Sequence, residues 1–334
     1  MLVACGSSQV ETSTTPASSG STPARAAASG IKIAAAGDIA CASAPHGASD
    51  PDHCQYDATS KLLVHEGFAR ILALGDNQYD VGAYDAYLHY YDAWWGRVKR
   101  KTSPVPGNHE YAQDPSATPR GYFRYFGDRV KGPDALGFYS FDLPKGCTAG
   151  DSVCWHVIAL SSELCFGSGG CGPATDPDNP GRGNRMYAWL KADLLAHPQS
   201  SYPCTLAFWH HPLFSVSAAS GGSTAIRPLW RLLYRAHADV VLNGHSHNYQ
   251  RWRAVTPGGR SDPGRGIREF IVGTGGASKY PLQTSLPRTL QLAQSRSFGV
   301  LVLHLAAEGY SWVWRTAKGQ RTFRDRHRAE VPCA

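Results

Sequence analysis

Five apolar runs in this chain end in the same way, on a small residue or an aromatic one followed by side chains that bind metal ions or protons. "IKIAAAGDIA" closes on Asp38, "RILALGDNQY" on Asp76, Asn77 and Tyr79, "TSPVPGNHEY" on Asn108, His109 and Glu110, "CTLAFWHHP" on His210 and His211, and "ADVVLNGHSHNYQR" on His245 and His247. Runs without strict polar alternation suit strands covered on both faces. Between them, residues 56–65, 84–94, 184–195 and 226–237 carry apolar side chains at threes and fours, the spacing of helices packed by one face. Strands alternating with helices predict an α/β layered core. In such sheets ligands collect at the carboxyl ends of strands, so five ligand-bearing ends predict one shared site.

The last run carries the most information. A lone histidine after a strand packs more often than it ligates, but here two stand one residue apart after Gly244. Glycine permits a sharp turn, and side chains two apart in an extended chain point the same way. Further strand candidates lie outside the alternation, at 137–143, 154–160, 268–276 and 298–305. A second sheet follows, giving two mixed sheets flanked by helices in a four-layer αββα sandwich. No internal repeat or linker interrupts the chain from Ile31 onward, so residues 31–334 are expected to form a single catalytic domain.

Bulk properties agree with a folded chain: 334 residues with 42% apolar content can bury a sizeable core. No apolar run reaches the length of about 18 residues that a membrane-spanning helix needs. The net charge of +7 is modest, and the basic stretch "KGQRTFRDRHRAE" shows no docking motif, so it reads as a solvated face and no nucleic acid partner is expected. Leu2-Val3-Ala4-Cys5 looks like the lipobox of bacterial lipoproteins, and the Ser/Thr/Ala-rich residues up to Gly30 read as a flexible tether. Taking Cys5 as the lipid anchor leaves eight of nine cysteines. Short spacings suggest the bridges Cys41–Cys54, Cys147–Cys154 and Cys165–Cys171, with Cys204 and Cys333 left to pair. An extracytoplasmic location follows, secreted or anchored at the cell surface.

The ordered set Asp38, "GDNQY", "GNHE", "HHP" and "GHSH" resembles the calcineurin-like metallophosphoesterases. It is most similar to their purple acid phosphatase branch, whose second motif carries a tyrosine three residues after its aspartate, as Tyr79 follows Asp76. The resemblance implies two metal ions per chain, Fe with Zn, Mn or Fe. One would be held by Asp38, Tyr79 and His247, the other by Asn108, His210 and His245, with Asp76 bridging them. Carboxylate, phenolate and imidazole suit these metals. Two ions about 3.5–4 Å apart can hold a phosphoryl oxygen and activate a bound water. By the same resemblance Asn108 and His109 contact the phosphate, His109 protonates the leaving alkoxide, Asp76 serves the catalytic centre and Glu110 orients His109.

The expected reaction is hydrolysis of small phosphate monoesters by metal-bound hydroxide. The alternatives are a phosphodiesterase or nucleotidase with the same site, or a surface lipoprotein that binds metal or phosphate without turnover. Two departures from the family pattern stand out. The loop "PLFSVSAASGG" after His211 lacks a further substrate-facing histidine, and His211, beside His210, is expected to point elsewhere. Ala40 stands where members often have glycine, which is tolerable unless the turn demands a positive φ.

Overall fold

The computed structural model describes residues 1–2 and 30–334, apart from 113–118, 152, 168 and 179. Cys5 and most of the expected tether therefore lie outside the described residues. Strands β1 (Ile31–Ala36), β2 (Arg70–Leu74) and β3 (Thr102–Val105) run parallel. On the other side of β1 the antiparallel strands β11 (Gly299–Leu305), β12 (Gly309–Thr316) and β13 (Arg326–Pro332) complete a six-stranded sheet.

The second sheet has seven strands. At its centre β5 (Trp155–Ala159), β6 (Cys204–Phe208), β7 (Val240–Asn243) and β9 (Ile267–Val272) are parallel. Its margins are β4 (Tyr139–Leu143) on one side and β8 (Tyr249–Val255) with β10 (Leu290–Gln294) on the other, all antiparallel to their neighbours.

The reason for the unbroken apolar runs is visible in β5. Val157 and Ala159 enter the core between the sheets, beside Ile33, Leu72, Leu206 and Phe270. Ile158 and Leu160 face the opposite way, against Leu190 and Trp230 of the helices Arg182–Ala196 and Arg227–Arg235. Alternate side chains thus bury on both faces. The expected four-layer αββα sandwich is what forms, with the core of the fold centred between the two sheets.

Two expected helices are shorter than their periodicity. The helix Tyr56–Ser60 gives way to tight turns in which Leu62 and Leu63 donate to residues three back. Residues 84–94 divide into a short helix, Tyr84–Ala86, and a wider π turn, Tyr87–Tyr91. Tyr87 and Tyr91 of that turn pack against Tyr125 and Phe126, and the Tyr87 hydroxyl reaches Glu110 at 2.9 Å. Tertiary packing, not helical period, sets the backbone there.

The four expected disulfides are all formed: Cys41–Cys54, Cys147–Cys154, Cys165–Cys171 and Cys204–Cys333. The last closes the longest loop, with a sequence separation of 129. Among the described residues, no helix is long and apolar enough to cross a membrane.

A polar strut lies away from the predicted site. His156 of β5 places Nδ1 at 2.8 Å from Asp142 and Nε2 at 2.9 Å from Asp193, while the His197 ring stacks on it at 3.8 Å. Burial disfavours the charged imidazole, but Asp193 and then Asp142 outweigh it, so the pKa of His156 is raised. The charged form therefore contributes stability fully below about pH 6.5, the unfolded value, and loses it as pH rises through the folded one. His156→Gln should cost about 3–5 kcal/mol at pH 6, the usual effect of breaking a buried ion pair. Denaturant titrations should find that penalty shrinking toward pH 10; a constant penalty would remove the charge from this explanation.

Candidate metal centre

The five ligand-bearing strand ends converge where the carboxyl edges of the two sheets meet. Asp38, Asp76 and Asn108 follow β1, β2 and β3 of one sheet; His210 and His245 follow β6 and β7 of the other. The backbone makes these approaches at a cost. Asp38, Asp76 and His245 have φ of 59°, 46° and 66°, in the left-handed region that non-glycine residues rarely enter. Such strain concentrates where side chains must be aimed.

At the fifth end the turn differs from the sequence expectation. The positive φ belongs to His245, and Gly244 serves close approach instead: a Cβ there would lie 2.7 Å from Asp38 Oδ2 and 2.8 Å from the Leu74 carbonyl. Gly107 is similarly constrained, since a side chain on it would collide with the Asp76 carboxylate. Ala40 has no positive φ, which explains why alanine is accepted there.

The donor atoms fall into two groups. In the first, the Tyr79 hydroxyl is 3.2 Å from Asp38 Oδ1, 3.1 Å from Asp76 Oδ2 and 3.0 Å from His247 Nε2. His247 Nε2 is also 3.2 Å from Asp38 Oδ1. In the second, Asn108 Oδ1 is 3.2 Å from His210 Nε2 and 3.1 Å from His245 Nδ1, and His210 Nε2 is 3.2 Å from Asp76 Oδ2. Asp76 Oδ2 belongs to both.

These spacings match the edges of a coordination shell, because donors about 2.1 Å from one ion stand about 3 Å apart at adjacent octahedral positions. Hydrogen bonding alone serves the first group poorly. One phenolic proton cannot satisfy two carboxylates and an imidazole nitrogen together, whereas a cation can. Asp76, His210 and His245 bring three ligand atoms within 4.8 Å of one another.

Electrostatics point the same way. Burial works against charge on Asp76, but His210 outweighs it and holds the carboxyl well below its usual range. Burial also lowers His210, yet Asp76 raises it to about 10, so a proton on His210 supplies the positive charge that the acids demand. His245 is depressed to about 4 by burial and then by His210. Tyr79 is pushed well above its ordinary value by burial and by Asp76 and Asp38, a situation that bound cations invert.

His109 lies on the open side. Its side chain is 32% exposed, its ring sits 4.2 Å from that of Tyr79, and its Nε2 is 3.9 Å from Asp76 Oδ2. Its Nδ1 hydrogen-bonds the Asp80 carbonyl, not Glu110. The expected orienting role for Glu110 is therefore corrected. That carboxylate accepts from the backbone amides of Asn77 at 2.8 Å, Gln78 at 3.1 Å and Gly107 at 2.7 Å, and so staples two ligand-bearing turns together. The helical turn Asn108–Tyr111 that follows β3 buries Glu110 instead.

His211 stays outside both donor groups but does not turn away from them. Its ring lies 4.1 Å from that of His245, and its Nδ1 faces Ser162 Oγ at 3.0 Å and Glu163 Oε1 at 3.2 Å.

Residues 31–249 match the calcineurin-like phosphoesterase family. The chain belongs to that family. Purple acid phosphatase 18 of Arabidopsis thaliana is 29% identical over 210 residues, covering 59% of this calcineurin-like phosphoesterase and 42% of the relative. The chain thus spans about two-fifths of that relative's length. Among solved structures, a purple acid phosphatase from yellow lupin (Lupinus luteus) seeds superposes with a TM-score of 0.68 at 15% identity, over 88% of this chain and 52% of the other. GAP50, the anchor in the inner membrane complex of Plasmodium, gives 0.62 at 14% identity over 90% and 89%. Both structural likenesses are of fold.

Several supports of the site are not ligand-type residues and escaped sequence reading. His247 is held by Ser278 Oγ at 2.6 Å and by the Tyr280 ring stacked at 3.9 Å. Both follow β9 in "GTGGASKYP", where the same strand-then-small-residue pattern offered a signal. The carbonyls of Leu74, on His210, and of Asp80, on His109, have no signature in side-chain type.

Proposed function

We propose that the chain hydrolyses phosphate esters, small monoesters first, at a centre of two metal ions. The observation that carries this reading is the position of Asp76 Oδ2, within 3.1 Å of Tyr79 in one donor group and 3.2 Å of His210 in the other. Asp38, Tyr79 and His247 would hold one ion, and Asn108, His210 and His245 the second, with Asp76 shared. A hard phenolate on the first side favours Fe there, with Zn, Mn or Fe as its neighbour. When bound, such ions supply Lewis acidity and lower the pKa of water.

The chain's own residues position the ester and manage its protons. The Asp80 carbonyl can only accept, so His109 Nδ1 keeps its hydrogen and Nε2 is the atom that exchanges a proton. On the open side of Asp76, Nε2 is placed to donate to a phosphoryl oxygen or to the departing alkoxide. Asn108 would share the phosphate with it.

Residues 31–334 serve as one catalytic domain in this reading, with residues 1–30 as lipobox and tether and Cys5 as the anchor. The four disulfides support folding in an oxidising, extracytoplasmic compartment. The test is phosphate release from a generic aryl phosphate monoester between pH 4 and 9 with added Fe, Zn or Mn. Metal-dependent release is expected; a metal-loaded protein inert toward monoesters and diesters alike would overturn the proposal.

A further inference from the structure

Among the described residues, one phenylalanine, tyrosine or tryptophan is exposed: Phe166, with half its surface open. It stands at the rim of the candidate centre. Its ring is 4.6 Å from that of His211, which in turn lies 4.1 Å from His245, so a row of rings leads from the second donor group to solvent. The other large apolar residues that are exposed are aliphatic.

The position is also held firmly. Phe166 ends the turn Ser162–Phe166, whose Cys165 is bridged to Cys171. The turn is fastened to the end of β6, where Ser162 Oγ accepts from the His211 amide at 3.1 Å and Glu163 reaches His211 Nδ1 at 3.2 Å. An exposed aromatic costs free energy in water and gains it back when a flat apolar surface covers it. A ring placed two side chains beyond a phosphate site meets the group on the far side of the ester.

Resting on the phosphohydrolase reading, we propose that Phe166 is a specificity-determining residue on which a planar leaving group packs. The preferred substrates are then phosphate esters bearing an aromatic ring, whether a simple aryl group or the base of a nucleotide.

The proposal is tested by calorimetric binding of phenylphosphonate, methylphosphonate and inorganic phosphate to metal-loaded protein, none of which requires turnover. Phe166→Ala should weaken phenylphosphonate roughly tenfold, the usual effect of deleting a stacking platform. Methylphosphonate and phosphate should stay within about twofold, and Phe166→Trp should restore phenylphosphonate binding. Adenosine 5′-thiophosphate distinguishes the two sources of the ring: the larger of the two Phe166→Ala losses marks the natural class. Equal losses for phenyl and methyl ligands, or none, would overturn the platform while leaving the phosphate site intact. Failure of wild-type protein to bind any of these anions would instead overturn the phosphate site, and the platform with it.

Discussion

Asp76→Asn should reduce turnover on the order of a thousandfold and leave the chain unable to hold two metal ions. The substitution is close to isosteric. Asp76 Oδ1 accepts from the His109 amide at 2.9 Å, and an asparagine oxygen can keep that bond. What changes is Oδ2, which faces Tyr79 and His210 at the junction of the two donor groups. An amide nitrogen there brings hydrogens where the proposed centre needs a shared anionic oxygen. Metal analysis after exhaustive dialysis, with steady-state phosphate release on the same samples, reads both effects. Wild-type activity in the variant would remove Asp76 from the bridging position.

His109→Ala separates proton transfer from metal binding. The imidazole is absent from both donor groups and stops 3.9 Å from Asp76 Oδ2, so the variant should retain its ions. Its rate should fall between about a hundredfold and ten-thousandfold, the range that general acid help commonly provides. The loss should be largest for alkyl phosphates, whose leaving alkoxides need a proton most, and smallest for nitrophenyl phosphate. Equal losses across that series would assign His109 to phosphate binding alone, and loss of metal would make it a structural support.

Much of this arrangement is legible because strand ends in layered α/β sheets gather ligands, and the ligand-type residues are few enough to recognise. Asp38, Asp76, Asn108, His210 and His245 each follow an apolar run, and those runs become adjacent strands of two sheets. Less legible is anything set by backbone reversal. Sequence neighbours Asn108, His109 and Glu110 diverge into a donor group, the open rim and a buried staple, because the chain turns helical immediately after Gly107.

Helix lengths fail for a related reason: the aromatic cluster around Tyr87 overrides the period written into residues 84–94. The arginines of the basic stretch near the end of the chain are exposed, as its composition suggests, but Asp325 among them is buried against Tyr249 and Arg251, and the stretch also supplies β13, an edge strand whose residues Arg326 to Glu330 are exposed. Edge strands rich in charge resist pairing with other chains, a use of arginine that composition alone does not distinguish from a loop.

Anomalous diffraction from crystals of the metal-loaded protein addresses the proposed metal pair most directly. Two peaks about 3.5–4 Å apart, one beside Tyr79 and His247 and one beside His210 and His245, with Asp76 Oδ2 between them, are the predicted result. A single peak, or metal bound elsewhere with the Asp76 junction left as a hydrogen-bonded cluster, would contradict it.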